Sequence, residues 1–336
     1  MTIVRDGNFT VVDYTGSINK IARVNHIITD LGLISNTSML TGSIAQVERV
    51  TETSPLMKGT LSGGDRHYTG GPGAQVENFN IPIFSLDRKF SKGDIENFRK
   101  FGEANAPKTL QDEVVKAMAK ARRSQSQTFN KALAEAIKGK SYGWADVGVA
   151  EYNYYTKWGV SQTTAPIDFT DATVHPAEVV ESLATAHIID NAGDNGESYS
   201  IIAICGRQWF DAFVSHNDIE VAYQYYNGAM NPLRDRLGGN SIVQTFEYKG
   251  VNYIKDISGN IPTGEAYFLP LGMDRMFEAF YAPLDDAAAQ GEPAQEIYLL
   301  YKENTFDRQY KLECESNFLI VNNLPELVVK SVGTFA

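Results

Sequence analysis

Residues 57–86 read MKGTLSGGDRHYTGGPGAQVENFNIPIFSL. Gly63, Gly64, Gly70, Gly71 and Gly73 crowd around Asp65, Arg66 and His67. Two readings compete: a loop that cradles phosphate, or the tip of a projection. A phosphate loop places its glycines between a buried strand and a helix, so that backbone N–H groups and the helix dipole face the anion. Here Gly70-Gly71 runs into Pro72-Gly73-Ala74, with no Gly-Lys-Ser/Thr and no helical pattern. Residues 47–61 are too polar for a buried parallel strand. Clustered Gly and Pro mark turns, so the stretch reads as a hairpin tip. Its flanks, IAQVERVTETSPLMKGTL and QVENFNIPIFSL, alternate loosely and are rich in β-branched residues. Residues 44–86 therefore read as one long two-stranded ribbon. A lone ribbon is marginally stable in water, so this one is expected to lie against another molecule.

The chain has 336 residues, 43% hydrophobic and 21% charged, enough for one large or two modest cores. No apolar run approaches the roughly 20 residues of a membrane helix. The opening MTIVRDGNFTVVDYTG lacks the apolar core of a signal peptide, which predicts synthesis and folding in the cytosol. Two distant cysteines, Cys205 and Cys314, imply no disulfide framework. The net charge of −11 argues against a general nucleic-acid binder, which carries a basic face. It fits a surface past which DNA can slide.

Residues 1–16 read as an arm. In residues 19–33, Ile21, Val24, Ile27, Ile28 and Leu31 recur at helical spacing and predict a short amphipathic helix. The strongest helix spans 109–138. Thr109 with Asp112 makes a capping-box-like start, and Gly139 supplies the stop. Leu110, Val114, Met118, Phe129, Leu133 and Ile137 form its apolar stripe. Its length is roughly 45 Å at 1.5 Å per residue. Lys116, Lys120, Arg122 and Arg123 read as a solvated face. Further on, His175-Pro176 opens a helix to about residue 191, SIIAIC (200–205) is a buried strand, and RQWFDAFVSHN is a helix. IVQTFEY and VNYIKDI, joined at Lys249-Gly250, make a hairpin. GEAYFLPLG, MFEAFYAPL, the segment 297–323 and LVVKSV are strands, so the class is α+β.

The catalytic inventory is thin. His26, His67, His175, His187 and His216 form neither HExxH nor a zinc-spaced set with cysteine. His187 and Asp190 fall one helical turn apart, as a surface pair would. Cys205-Gly206 before a helix has the outline of a nucleophile elbow. Ile204, however, stands where a full elbow has glycine, no base is evident, and cysteine is often an inert buried hydrophobe. Asp285-Asp286 and Glu313/Glu315 lack EF-hand-type spacing and read as solvated charge. No catalytic residue, cofactor or metal site is expected.

Order and spacing together resemble one family: major capsid proteins of tailed bacteriophages with the Hong Kong 97-type fold, in the lambda-like type E group. TSPLMKGTLSGGDRH (53–67) is similar to that group's extended loop. The helix ending in LAEAIKGKSY (133–142) is similar to its spine helix, and IIAICGRQWFDAFVS (201–215) to its axial domain. FLPLGMDRMFEAFYAPLDDAAA (268–289) with ECESNFLIVNNLPELVVKSV (313–332) is similar to its C-terminal part. The resemblance implies an N-terminal arm (1–43), an extended loop (44–86) and a peripheral domain (87–174) that contains the spine helix. It further implies an axial domain (175–295) and a return to the peripheral domain (296–336). The inter-subunit loop tip would comprise Lys58, Gly63, Gly64, Asp65, Arg66, His67, Tyr68, Gly70, Gly71 and Gly73. The implied function is self-assembly as hexamers and pentamers into an icosahedral shell around double-stranded DNA, without sequence-specific contact. Implied partners are a scaffolding protein, a portal and a decoration protein, with no membrane; assembly is in the host cytoplasm and the end place is the virion. Some relatives crosslink through a loop lysine, but nothing here identifies an Asn partner or catalytic Glu for Lys58, so no crosslink is expected. The alternatives are an encapsulin-like compartment shell and, from another class, a cytosolic hydrolase using Cys205.

Overall fold

A computed structural model describes residues 2–5, 9–24, 26–51, 73–90, 110–143, 152–171, 173–192, 199–220, 244–286, 291–304 and 309–335. The first sheet is built from Thr2–Arg5 (β1), Phe9–Asp13 (β2), Ile34–Met39 (β3), Ile83–Ser85 (β6), Arg88–Phe90 (β7), Phe277–Tyr281 (β14), Tyr298–Asn304 (β15) and Gln309–Asn322 (β16). Its order is β1-β2-β15-β16-β14-β3, with β6 and β7 also on β16. The second sheet takes Thr163–Thr164 (β8), Ile167–Asp168 (β9), Ser200–Cys205 (β10), Thr245–Tyr248 (β11), Val251–Lys255 (β12), Glu265–Leu271 (β13) and Val329–Thr334 (β17). Its order is β11-β12-β10-β13-β17-β8, with β9 also on β17. Ile44–Thr51 (β4) and Gly73–Asn80 (β5) pair antiparallel with each other, from Ile44↔Asn80 to Thr51↔Gly73, and join neither sheet.

The apolar run of β10 is explained by burial on both faces. Ile202 and Ile204 enter the main core, while Ile201, Ala203 and Cys205 enter a second core on the opposite face. There they meet Trp209, Phe210 and Phe213 of the helix Arg207–Val214 and Val180, Ala184 and Ile188 of a second helix. That second helix starts at Pro176–Val179, passes through a π-helical stretch, Val180–Thr185, and ends as Ala186–Asn191. The β11–β12 turn holds Lys249 at φ 48° and Gly250 at φ 77°, the double left-handed turn that matches strand twist.

The long helix is Leu110–Ile137, and its stripe serves two cores. Val114, Ala117, Met118 and Ala121 pack with Ile297, Leu299, Leu312 and Cys314 of the first sheet and its approach. Phe129, Leu133 and Ile137 enter the main core with Phe318, Ile320 and Tyr281. The side chain of Leu110 and the expected cap at Thr109 lie outside the described residues. Gly139, at φ 79°, ends the helix: its N–H donates to Ala136 O and that of Lys140 to Glu135 O.

Three expectations need correction. Residues 19–33 are not one helix: Thr15–Ile18 and Ile27–Asp30 are short helices, and residues 19–24 form an irregular link. The link is held by side chains instead of helical amides: Arg122 Nε donates to Ile21 O at 3.1 Å and Asn19 Nδ2 to Ile297 O at 3.1 Å. Residues 83–85 leave the ribbon and pair antiparallel with β16 of the first sheet, from Ser85↔Glu315 to Ile83↔Asn317. The strands are shared between the sheets across long stretches of chain. β14 pairs with β16 and β3 in the first sheet, whereas β17 pairs with β13 in the second. Finally, Arg122 is buried, not solvated. Its guanidinium is satisfied by Glu296 at 3.0 Å and by Ile21 O.

Candidate assembly site: the hairpin and its anchorage

The β4–β5 hairpin is a two-faced ribbon. Ala45, Val47 and Phe79 are buried, while Ile44 (57% exposed) and Val76 (48%) face outward. Phe79 fills an aromatic box, with ring centroids 5.2 Å from Tyr152, 6.0 Å from Tyr154 and 6.1 Å from Trp158. The box is set by the one-and-a-half-turn helix Tyr154–Trp158, capped by Asn153 and stopped by Gly159 at φ 66°. It is pinned beneath by Tyr154 Oη donating to Ile320 O (2.6 Å) and Trp158 Nε1 donating to Asn322 O (3.0 Å). Burial pushes the Tyr154 phenol well up, so it stays a donor. Polar anchors line the rim. Asn80 N donates to Tyr152 Oη, Lys157 pairs with Glu77 at 3.4 Å, and Arg49 pairs with Glu326.

Of the expected tip residues, Gly73 opens β5 opposite Thr51. Lys58, Gly63, Gly64, Asp65, Arg66, His67, Tyr68, Gly70 and Gly71 lie outside the described residues. In the long helix, Val114, Met118, Phe129, Leu133 and Ile137 are all buried.

A second polar cluster was not legible in the sequence. Glu296 binds Arg23 (2.5 Å) from the N-terminal link and Arg122 (3.0 Å) from the long helix. Burial pushes its carboxyl up, but the hydrogen bonds and charges of Arg23 and Arg122 outweigh this and leave it below the ordinary range. These residues are far apart in sequence, and no local spacing signals the meeting.

Neither cysteine is an activated thiol. Cys205 is fully buried, its thiol contacts Ala203 O at 3.7 Å, and burial pushes its pKa well up. Burial pushes the Cys314 thiol up to about 12. His187 contacts Thr163 Oγ1, Glu326 O and Asn191 Nδ2, the last replacing the expected Asp190 partner. Glu315 is structural: its Oε1 accepts from Asp285 N at 2.9 Å and Asn317 Nδ2. Among the described residues no group of three His, Cys, Asp or Glu could hold a metal ion, and no helix is long and apolar enough to cross a membrane.

Two cross-linked sheets, a long helix shared by two cores and an unpaired hairpin define the class of fold found in phage capsid subunits. The structure is similar to a prophage capsid protein of E. coli CFT073, with a TM-score of 0.59 and 13% identity over 96% of this chain and 99% of that one. It is likewise similar to the mature capsid of bacteriophage PhiM1, with a TM-score of 0.54 and 10% identity over 94% and 90% of the two chains. In sequence, it is 27% identical to the major capsid protein of Pseudomonas phage KPP10 over 96% of both chains. Residues 10–332 match the model of the family described as phage major capsid protein E, and the chain belongs to that family. It is a shell-forming major capsid protein of a phage, with the expected Hong Kong 97-type α+β fold and a place in the virion capsid. The compartment-shell and hydrolase readings are not favoured.

Proposed function

We propose that copies of this chain form hexamers and pentamers that close into an icosahedral shell around phage double-stranded DNA. In this reading residues 44–80, with the tip they carry, lie across a neighbouring subunit. The observation that carries it is the β4–β5 ribbon, which belongs to neither sheet yet presents Ile44 and Val76 to the outside. A ribbon of two strands is marginal alone and gains stability when a second surface covers its open face. Repetition in a closed shell turns a modest contact into a large sum. The tip glycines let one sequence adopt different angles in non-equivalent positions. The net charge of −11 keeps packaged DNA from binding tightly to the wall. A scaffolding protein, a portal and a decoration protein complete the assembly, which takes place in the host cytoplasm.

The test is deletion of residues 62–72, with co-expression of the phage's other head genes. The variant is expected to keep its circular dichroism and melting transition but to yield no stable shells by negative-stain electron microscopy. Shells at normal yield would overturn the role of the tip.

A further inference from the structure

At the root of the hairpin, where β3 leads into β4 and β5 into β6, lies a cavity of about 470 Å³. The root is closed by Ile81 N, which donates to Ser43 O at 2.9 Å, and Ile83 then pairs with Asn317 of β16. Ile81, Ile83, Pro283 and Leu284 give the cavity apolar walls. Asp285, exposed, and Asp286, half-buried, give it two carboxylates. Asn317 also lines it and is only 1% exposed. The partners of this amide fix which end is oxygen. Its Nδ2 donates to Pro283 O at 2.9 Å and to Glu315 Oε1, two acceptors that only an NH₂ group can serve. Oδ1 is left buried without a hydrogen-bond donor. An unmet buried acceptor is costly, and a ligand that brings the donor recovers the loss.

The cavity thus combines an orphaned acceptor, negative charge and an apolar lining, in a chain of net charge −11. A divalent metal ion does not suit it, because such an ion is surrounded by six or more oxygens. Glu315 Oε1 is already held by Asp285 N and Asn317 Nδ2, and among the described residues no three His, Cys, Asp or Glu could hold a metal. We propose that this cavity binds an aliphatic ammonium, with its methylene stem against the two isoleucines and its charged head donating to Asn317 Oδ1. Asp285 and Asp286 supply the attracting charge. An ammonium carries three donors and no acceptor, which suits an unmet carbonyl in the company of carboxylates. The stem covers apolar wall that a bare inorganic cation would leave wet.

Titration of the purified full-length protein with n-butylammonium chloride at fixed ionic strength, followed by ligand-observed NMR, tests this. Saturable binding with a Kd on the order of 1 mM is expected for a ligand of this size. n-Butanol, the same stem without the charge, should bind about tenfold more weakly. Asp285→Asn with Asp286→Asn should weaken the amine about fivefold. Asn317→Leu should weaken it about tenfold and leave n-butanol unchanged. Gly42 lines the cavity, and a Cβ added there meets nothing within 4 Å, so Gly42→Trp keeps the fold and occupies the space. That variant should abolish binding, and it decides the matter if the Asn317 variant fails to fold. A lysine side chain shares the chemistry of a free amine. N-acetyl-lysine methylamide binding as tightly as butylammonium identifies a seat for lysine, and weaker binding identifies one for free amines. Three results overturn the site: an amine that binds no tighter than n-butanol, undiminished binding to Gly42→Trp, or displacement of the amine by an equal concentration of calcium chloride.

Discussion

Gly206 illustrates how close backbones meet in this chain. A Cβ there would lie 2.0 Å from Pro262 O and 2.7 Å from Thr263 O, both rigid backbone atoms. Its own N–H donates to Glu265 O at 2.8 Å. The glycine after Cys205 thus serves a strand-to-helix crossing, which is why the segment mimics a nucleophile elbow. Gly206→Ala should destabilise the protein by about 1–3 kcal/mol or more, read as a lower urea midpoint. Glu296 makes a pH-dependent contribution of ordinary sign. Its folded pKa is depressed, so its stabilisation is present above the unfolded carboxylate range and is lost as pH falls through the folded value. Glu296→Gln should melt below wild type at pH 7, and the gap should close in acid; a gap that persists at pH 3 contradicts the assignment.

At the level of elements, the hairpin is anchored through the aromatic box around Phe79. Phe79→Ala should cost about 3–5 kcal/mol of anchorage. Because Phe79 is buried with no exposure, exchange in β4 and β5 should rise well before global unfolding. Elements with a strong local period were legible in the sequence: the Leu110–Ile137 helix, the β4–β5 ribbon, β10 and the Lys249-Gly250 turn. Residues 19–33 misled because their apolar spacing is helical while their carbonyls and side chains are claimed by distant partners, Arg122 above all. The burial of Arg122 was hidden for the same reason: its partner Glu296 is 174 residues away. Arg49 and Glu326 are 277 residues apart, so their pairing left no local trace either.

Across the whole molecule, the two sheets are stitched together by crossing connections. The first sheet seats β3 beside β14, and the second receives β17 from the far end of the chain. β17 is no ornament there, since Val329 and Ser331 are fully buried and Trp209 Nε1 donates to Ser331 Oγ at 3.1 Å. Removal of residues 329–334 should leave a chain without a cooperative melting transition, whereas trimming Phe335 and Ala336 should cost far less. The allocation of β14 and β17 was not legible because pairing between distant strands is decided by the whole core, not by any window of sequence.

The position of β17 bears on synthesis. A ribosome releases the chain from its N-terminus onward, and folding of each unit follows emergence. Here the first sheet cannot close until residues up to 322 have emerged, and the second until residues up to 334 have emerged. A polypeptide cut short before residue 322 therefore lacks a closing strand of each sheet. A shell made of many identical tiles excludes defective ones at birth, before any neighbour can recruit them.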